Sequence, residues 1–260
     1  MEKITSRKNP LCVHIKKLGA SKSYRIENRE FLCDGLKLLE EAANNEVIVK
    51  TVLTCGTLPF MLPPETRVCF TTRDIIDSIS PLKNAQDTLF ICDMPDNSMV
   101  QTDGSCREFL SGSGDYILLD GLQDPGNVGT IIRTANALGI TGVMLYGKCA
   151  DLFNPKTIRA TMGALFKQKV FTVGYGELSA LKEKGATIIG ASIGDNCRDI
   201  TKISLNNSII AIGSEGCGLS NSISSLCEEL ITIPISSDCD SLNAAVAASI
   251  IMWEIERCLH

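Results

Sequence analysis

The second half of the chain carries short, almost continuous apolar runs that recur between helical segments. The candidate strands are YILLD (116–120), GVMLY (142–146), TIIGA (187–191), SIIAIG (208–213) and LITIP (230–234). Strands that are buried on both faces of a parallel sheet show such runs. Helices are predicted at about 127–138, 155–165, 177–184, 219–228 and 243–258. This alternation predicts an α/β fold with a mostly parallel sheet.

The first 95 residues predict a smaller α/β domain. The runs VIVKTVLT, RVCFT and TLFIC are typical of strands, and TRDIIDSIS predicts a short helix. Leu32, Leu36, Leu39 and Ala43 have helical spacing within FLCDGLKLLEEA. The stretch from Asp93 to Asp115 is polar and turn-rich. We therefore expect domains at residues 1–95 and 114–260, joined by a linker over 96–113.

Composition limits the classes of function. No apolar run in the 260 residues approaches the roughly 18 residues of a membrane span, and the charged start MEKITSRKNP lacks the apolar segment of a secretory signal. The twelve cysteines are scattered without a C-x-x-C pair, and there are only two histidines. We therefore expect free thiols in a reducing cytoplasm, no metal centre and no membrane partner.

Charge is unevenly distributed. The net charge is −5, yet the first 30 residues contain eight basic and three acidic residues. A basic arm on an acidic body is typical of a protein that contacts a polyanion, although an ordinary solvated helix face has the same composition. The charge pattern alone leaves both interpretations open.

Three loops that follow apolar strands carry unusual residues. The first, DPGN, precedes a helix for which Asn127 is a plausible N-cap, and Arg133 falls on the face of that helix opposite Val128, Ile131 and Ile132. The second, GSEGCGLS, places Glu215 among glycines, and the carboxylate would repel a phosphate bound there. The third opens a helix of small residues with SLN, 241–243. Ligands of open parallel sheets bind where such loops gather, at the carboxyl ends of the strands.

Four segments resemble, in order, the motifs of the SpoU-type RNA ribose 2′-O-methyltransferases of the SPOUT superfamily. They are LDGLQDPGNVGTIIRTANALG, FNPKTIRATMGALF, AIGSEGCGLS and ITIPISSDCDSLNAAVAAS. The N-terminal part is similar to the substrate-binding domain, related to ribosomal protein L30e, that many members carry. The chain departs mildly from the family pattern, with Asp34 for Glu, Thr161 for Ser, Ser214 for Asn and Ala244 for Val.

The resemblance implies more than the residues alone do. It implies a deep trefoil knot in the C-terminal parallel-sheet domain, S-adenosylmethionine as cofactor, and a homodimer. The implied catalytic residues are Asn127, Arg133, Glu215, Ser241 and Asn243, and the implied cofactor-binding residues are Gly213, Ser214, Gly216, Ile233 and Leu242. The candidate RNA contacts are Arg7, Lys8, Arg25, Arg29 and Arg159.

The expected reaction is methyl transfer to a ribose 2′-hydroxyl of structured RNA. Ribosomal RNA, 23S rRNA in particular, is the first candidate because the N-terminal domain resembles that of rRNA-modifying members, and transfer RNA is the alternative. A non-catalytic RNA-binding protein is a further alternative. A general nucleotide-binding α/β enzyme is disfavoured, because the chain has neither a G-x-G-x-x-G nor a G-K-[ST] loop.

Overall fold

The structure, a computed structural model, describes residues 2–95, 100–101, 114–194, 196–236 and 238–258. The chain divides into two compact units. The first comprises Met1–Pro95 together with Asp151–Phe166, and the second comprises Asp96–Ala150 together with Lys167–His260. No helix among the described residues is long and apolar enough to cross a membrane.

Both units are built from strands connected by helices. The strands are β1 Glu2–Lys3, β2 Glu30–Asp34, β3 Val49–Thr54, β4 Arg67–Phe70, β5 Thr88–Asp93, β6 Val100–Gln101, β7 Tyr116–Asp120, β8 Gly142–Tyr146, β9 Val170–Val173, β10 Thr187–Ala191, β11 Arg198–Asp199, β12 Ser208–Gly213 and β13 Glu229–Thr232. The helices are α1 Pro10–Ala20, α2 Lys22–Asn28, α3 Leu36–Asn44, α4 Arg73–Ile79, α5 Pro125–Ala137, α6 Pro155–Thr161, α7 Tyr175–Glu183, α8 Asn221–Ser224 and α9 Ala244–Arg257.

The first unit is built on a mixed five-stranded sheet of order β1-β4-β3-β5-β2. Strands β1, β4 and β3 run parallel, and β5 pairs antiparallel with both β3 and β2. Four of the eight basic residues of the first 30 positions lie on α1 and α2. The prediction of a small α/β domain is thus consistent with the element order of this unit.

One predicted helix of this unit was partly wrong. The spacing of Leu32, Leu36, Leu39 and Ala43 predicted a helix from residue 32, but Glu30–Asp34 is a strand and the helix begins at Leu36. Leu32 and Cys33 are fully buried and pair with Ile91 and Phe90 of β5. Gly35, with φ +116°, then turns the chain into the helix.

The segment Asp151–Phe166 belongs to the first unit, although the sequence suggested that the second domain ran from 114 to 260 without interruption. Helix α6 packs against β2, and the ring of Phe153 lies 4.9 Å from that of Phe31. The Arg159 guanidinium donates to the Asn84 carbonyl at 2.8 Å. These contacts join residues that are more than 70 positions apart, so no local pattern indicates them.

The second unit is built on an eight-stranded sheet of order β11-β13-β10-β12-β7-β8-β9-β6. Neighbouring strands of this sheet pair in parallel throughout the described residues, which confirms the predicted parallel α/β class. Strands β7, β8, β10 and β12 match the predicted ranges, and β13 begins one residue earlier and ends before Pro234. Ile117, Leu118 and Leu119 of central β7 have no exposed surface. The trefoil knot stays a prediction of the resemblance.

Cysteines make no disulfide among the described residues, where eleven are free thiols. One of them, Cys149, has a structural use. Its Sγ lies 3.2 Å from the Leu119 carbonyl oxygen and 3.3 Å from that of Tyr146, at the carboxyl ends of β7 and β8. The thiol therefore helps to hold the turn that follows β8.

Candidate active site

The carboxyl ends of three neighbouring strands, β13, β10 and β12, surround a cavity of about 280 Å³ in the second unit. Four of the five predicted cofactor residues line it, namely Gly213, Ser214, Ile233 and Leu242. Gly216 is the exception, because it lies in the exposed tip of the β12 loop. The predicted catalytic residues Glu215 and Ser241 also line the cavity.

Sequence reasoning missed one wall of this cavity. Ala191, Ser192 and Ile193 line it from the end of β10, and Ile193 is 64% exposed. The strand TIIGA was predicted, but its loop contains none of the family-like motifs. The only available signal was positional, because the end of a central parallel strand lies at the same edge as the ends of its neighbours.

The loop after β12 is a tight closed turn. The Ser214 N–H donates to the Gly218 carbonyl at 3.1 Å, and the Gly218 N–H donates to the Ser214 carbonyl at 2.8 Å. A Cβ on Gly213 would lie 2.1 Å from the carbonyl carbon of Gly218, so only glycine fits there. The turn therefore carries Glu215 at its exposed tip in a defined position.

Three predicted catalytic side chains meet in a hydrogen-bonded triangle. The amide of Asn127 donates to Oε1 of Glu215, and the amide of Asn243 donates to the same oxygen at 3.2 Å. The Asn243 amide also lies 3.1 Å from Oδ1 of Asn127. These residues lie in the first turn of α5, in the loop after β12 and at the N-cap of α9, so the fold gathers side chains that are up to 116 positions apart. We call this group the polar triangle.

Asn243 has a second contact that orients its amide. It is the N-cap of α9, and its Oδ1 accepts from the N–H groups of Ala245 at 2.9 Å and Val246 at 3.3 Å. Because the oxygen faces the helix, the NH₂ group faces Glu215 and Asn127. A helix cap thus sets the direction of a site residue.

Asn127 has a different local role from the one predicted. Helix α5 begins at Pro125, and its N-cap is Asp124, whose carboxylate accepts from the Asn127 N–H at 2.8 Å. The prediction that Asn127 is the N-cap was wrong, because the Asp-Pro pair provides both an acceptor and a first helical residue without an N–H. The Asn127 side chain is consequently available to the polar triangle.

Arg133 lies on α5 as the periodicity predicted. It is exposed, whereas Val128, Ile131 and Ile132 on the opposite face have no exposed surface. Its guanidinium makes no hydrogen bond or ion pair within the described part of the chain, and Arg133 does not line the cavity. It therefore stands as an unpaired cation at the surface of the helix that carries Asn127.

A shallow apolar depression of about 430 Å³ adjoins the polar triangle. Asn127, Thr130 and Asn243 line one part of it, and Val246 and Trp253 of α9 line another. Val246 is 48% exposed and Trp253 is 58% exposed. Helices α5 and α9 pack side by side, with the Ser249 hydroxyl 3.4 Å from that of Thr134. The site thus borders an exposed apolar helix face.

The candidate RNA contacts lie in the first unit and differ in exposure. Arg7, Lys8 and Arg29 are exposed, with Arg7 in an ion pair with Asp74 at 3.1 Å, and Arg159 is half-buried. The prediction for Arg25 was wrong. It is 3% exposed, and its guanidinium donates to the Leu18 carbonyl at 2.5 Å and to Asp151 at 2.6 Å.

Arg25 is a structural residue for a physical reason. A buried guanidinium is retained in a fold only when it is paired, and Asp151 is that partner. The partner lies 126 positions along the chain, so the sequence contained no sign of the pairing.

The described residues include no group of three or more His, Cys, Asp or Glu that could hold a metal ion.

The comparisons with known proteins agree with this geometry. The model of the SpoU rRNA Methylase family matches residues 115–253. RlmP of Bacillus subtilis, a 23S rRNA (guanosine(2553)-2′-O)-methyltransferase, is 30% identical over 259 residues, which cover 98% of this chain and 99% of that protein. The AdoMet-bound rRNA methyltransferase of Sinorhizobium meliloti has a TM-score of 0.84 and 27% identity, covering 100% of this chain and 98% of that one.

A second solved structure is similar over almost its whole length. The SpoU methyltransferase AviRb of Streptomyces viridochromogenes, in complex with AdoMet, has a TM-score of 0.80 and 26% identity, covering 97% of this chain and 98% of that one. The fold and site thus define an α/β methyltransferase with a parallel sheet. The chain belongs to the SpoU rRNA methylase family, whose members use S-adenosylmethionine as the methyl donor.

Proposed function

We propose that this protein transfers the methyl group of S-adenosylmethionine to a ribose 2′-hydroxyl of 23S rRNA. The observation that carries the proposal is the polar triangle of Asn127, Glu215 and Asn243 beside a partly apolar cavity at the carboxyl ends of parallel strands. The choice of rRNA rests on the full-length similarity to the B. subtilis 23S rRNA enzyme.

The cavity residues fit the proposed cofactor. Ile212, Ile231 and Ile251 provide apolar walls for adenine, and the turn at Gly213 leaves backbone groups close to the cavity. We infer that Gly213, Ser214, Ile233 and Leu242 hold the cofactor. When bound, S-adenosylmethionine supplies an activated methyl group on a sulfonium.

The chain's own residues would orient the nucleophile. Displacement at the methyl carbon requires the attacking oxygen to be held in line with the leaving sulfur. Ser241 and the amides of the polar triangle would position the ribose by hydrogen bonds. Arg133 would bind the phosphate next to that ribose, because a guanidinium stays protonated and serves as a clamp rather than as a base.

RNA and a second subunit complete the proposal. The exposed cations Arg7, Lys8 and Arg29, together with the half-buried Arg159, would contact phosphates of the substrate. The exposed face of α9 around Val246 and Trp253 would bind the same face of a second copy, which would bring Arg133 near a partner's site. Since the proposed substrate is ribosomal RNA, we infer that the protein acts in the cytoplasm.

Transfer RNA is the second candidate substrate. A Staphylococcus haemolyticus protein assigned to the TrmH family of tRNA/rRNA methyltransferases is 36% identical over 152 residues, which cover 57% of this chain and 61% of that protein. The full-length relative favours rRNA over this partial one. A non-catalytic RNA-binding role is disfavoured, because such a role would not need the hydrogen-bonded polar triangle.

Mass-spectrometric mapping of ribose methylation tests the proposal. The 23S rRNA and tRNA are compared between cells with and without the gene, and purified protein is then added to the unmethylated RNA with S-adenosylmethionine. We expect one 2′-O-methyl group of 23S rRNA to be missing in cells that lack the gene. The purified protein should restore it in vitro. A methyl group lost from tRNA alone would contradict the substrate, and no change in either RNA would contradict the activity.

A further inference from the structure

Asp120 is a buried carboxylate next to the site. It lies in the first of the family-like motifs, but neither the resemblance nor the cavity gives it a role. It is the last residue of β7 and is 5% exposed. In the parallel ladder it lies in register with Gly213, the last residue of β12. The residue that starts the β12 loop is therefore paired with Asp120 through the backbone.

The side chain of Asp120 contacts the other end of the same loop. Its Oδ2 accepts from the Ser220 N–H at 2.6 Å, and Ser220 is the N-cap of α8. A hydrogen bond from an N–H to a carboxylate is stronger than one between neutral groups. One residue thus contacts the loop where it leaves β12 and where it enters α8.

Hydrogen bonds and close packing connect the two ends of the loop between these contacts. The paired hydrogen bonds between Ser214 and Gly218 close it, and Gly213 packs directly on Gly218. A shift of Ser220 would therefore carry Glu215 and the wall of the cavity with it. No ion pair within the described chain involves Asp120, so the Ser220 N–H is the charge-stabilising contact that the structure shows.

We propose that Asp120 is a positioning residue for methyl transfer, one that holds Glu215 and the cofactor wall by anchoring the loop at Ser220. The inference rests on the proposed function, because it concerns the same site. Asp120 does not line the cavity, so it would act through the loop and not by touching the substrate or the cofactor.

The experiment uses the full chain and two matched pairs of variants. In the first pair, Asp120→Asn keeps an acceptor for the Ser220 N–H, whereas Asp120→Ala removes it. In the second, Ser220→Pro removes the N–H, and Ser220→Ala keeps it. Both Ser220 variants lose the hydroxyl, so they differ in the N–H and in the proline ring that takes its place beside Asp120. The φ of Ser220 is −65°, which a proline ring accommodates.

Three quantities are measured for each variant: the Kd for S-adenosylmethionine by calorimetry, kcat with saturating substrates, and the Kd for RNA. We expect Asp120→Ala and Ser220→Pro to weaken cofactor affinity by about tenfold to a hundredfold, the range for a lost hydrogen bond to a charged group. Asp120→Asn keeps the acceptor but loses the charge, so its affinity should fall between those of Asp120→Ala and wild type. Ser220→Ala should stay within about threefold of wild type, and RNA affinity should not change. The double variant Asp120→Ala/Ser220→Pro should bind S-adenosylmethionine no more weakly than Asp120→Ala alone.

Several results would overturn the inference. Asp120→Ala with wild-type cofactor affinity and kcat would do so, as would Ser220→Pro behaving like Ser220→Ala. Parallel loss of RNA and cofactor binding would indicate a merely structural residue. If Asp120→Ala does not unfold cooperatively, it is not properly folded, and the comparison of Ser220→Pro with Ser220→Ala tests the inference instead. A wild-type protein that binds no S-adenosylmethionine would instead contradict the proposed function.

Discussion

Within the described part of the chain, some side chains of this site are fixed by hydrogen bonds to other side chains, and Arg133 is not. Asn127, Glu215 and Asn243 bond to one another, whereas Arg133 is exposed and has no hydrogen-bond or ion-pair partner among the described residues. An exposed cation without a partner among the described residues is free to bind an anion of the substrate. The proposed phosphate clamp follows from this contrast.

Substitution of Arg133 tests the clamp. We expect Arg133→Ala to lower the methylation rate by about a hundredfold or more, because a misplaced nucleophile loses the gain from orientation. The Kd for S-adenosylmethionine should be unchanged, since Arg133 does not line the cavity. Asn136→Ala, at an exposed position of the same helix, is the control and should have wild-type activity. Equal loss of cofactor binding and rate in Arg133→Ala would disprove the assignment.

At the scale of elements, the first residue before α9 links helix stability to the site. Asn243 caps the helix with its oxygen and bonds Glu215 with its amide nitrogen. Asp is as good an N-cap as Asn, but it would place a second carboxylate next to Glu215. The two roles can therefore be separated by one substitution.

We expect Asn243→Asp to keep the unfolding temperature of the wild type and to lose most methyl-transfer activity. Asn243→Ala should lose activity as well and should also lower the free energy of unfolding by about 1 kcal/mol, the usual contribution of an N-cap. Thermal unfolding and a methylation assay on the same preparations distinguish these results. Wild-type activity in Asn243→Asp would show that the amide donor is not needed.

At the scale of the whole molecule, the two compact units are not two consecutive stretches of chain. Asp151–Phe166 belongs with the first 95 residues, through the packing of α6 on β2 and the contact of Phe153 with Phe31. Deletion of the N-terminal residues would therefore remove the packing partners of a segment that remains.

We expect a chain that starts at residue 114 to aggregate or to unfold at a lower temperature than the full chain. The apolar residues of 151–166 would lose β2 and expose surface that is otherwise buried. Thermal unfolding and binding of a hydrophobic dye measure this. A shortened chain that melts like the full one and keeps its cofactor affinity would contradict the expectation, and Phe153→Ser in the full chain is the matched test of the same contact.

The sequence by itself predicted five strands of the second sheet, but not β9 or the cavity wall at the end of β10. Runs such as YILLD and SIIAIG are apolar throughout because both faces of their strands are buried, so composition along a few residues identifies them. The motif residues Asn127, Glu215 and Asn243 were identified differently, through the resemblance of the short segments that contain them to the motifs of a known family. Local information was sufficient where the physical cause is local.

Tertiary structure alone decided how these residues are used. Three features depend on partners that are distant along the chain. They are the burial of Arg25 against Asp151, the strand at Glu30–Asp34 and the membership of Asp151–Phe166 in the first unit. The shared oxygen of Glu215 and the bond from Ser220 to Asp120 also depend on such partners, and they connect loops of different strands. A pattern of residues records which groups favour burial or a turn, but only the folded sheet brings the ends of its strands to one edge.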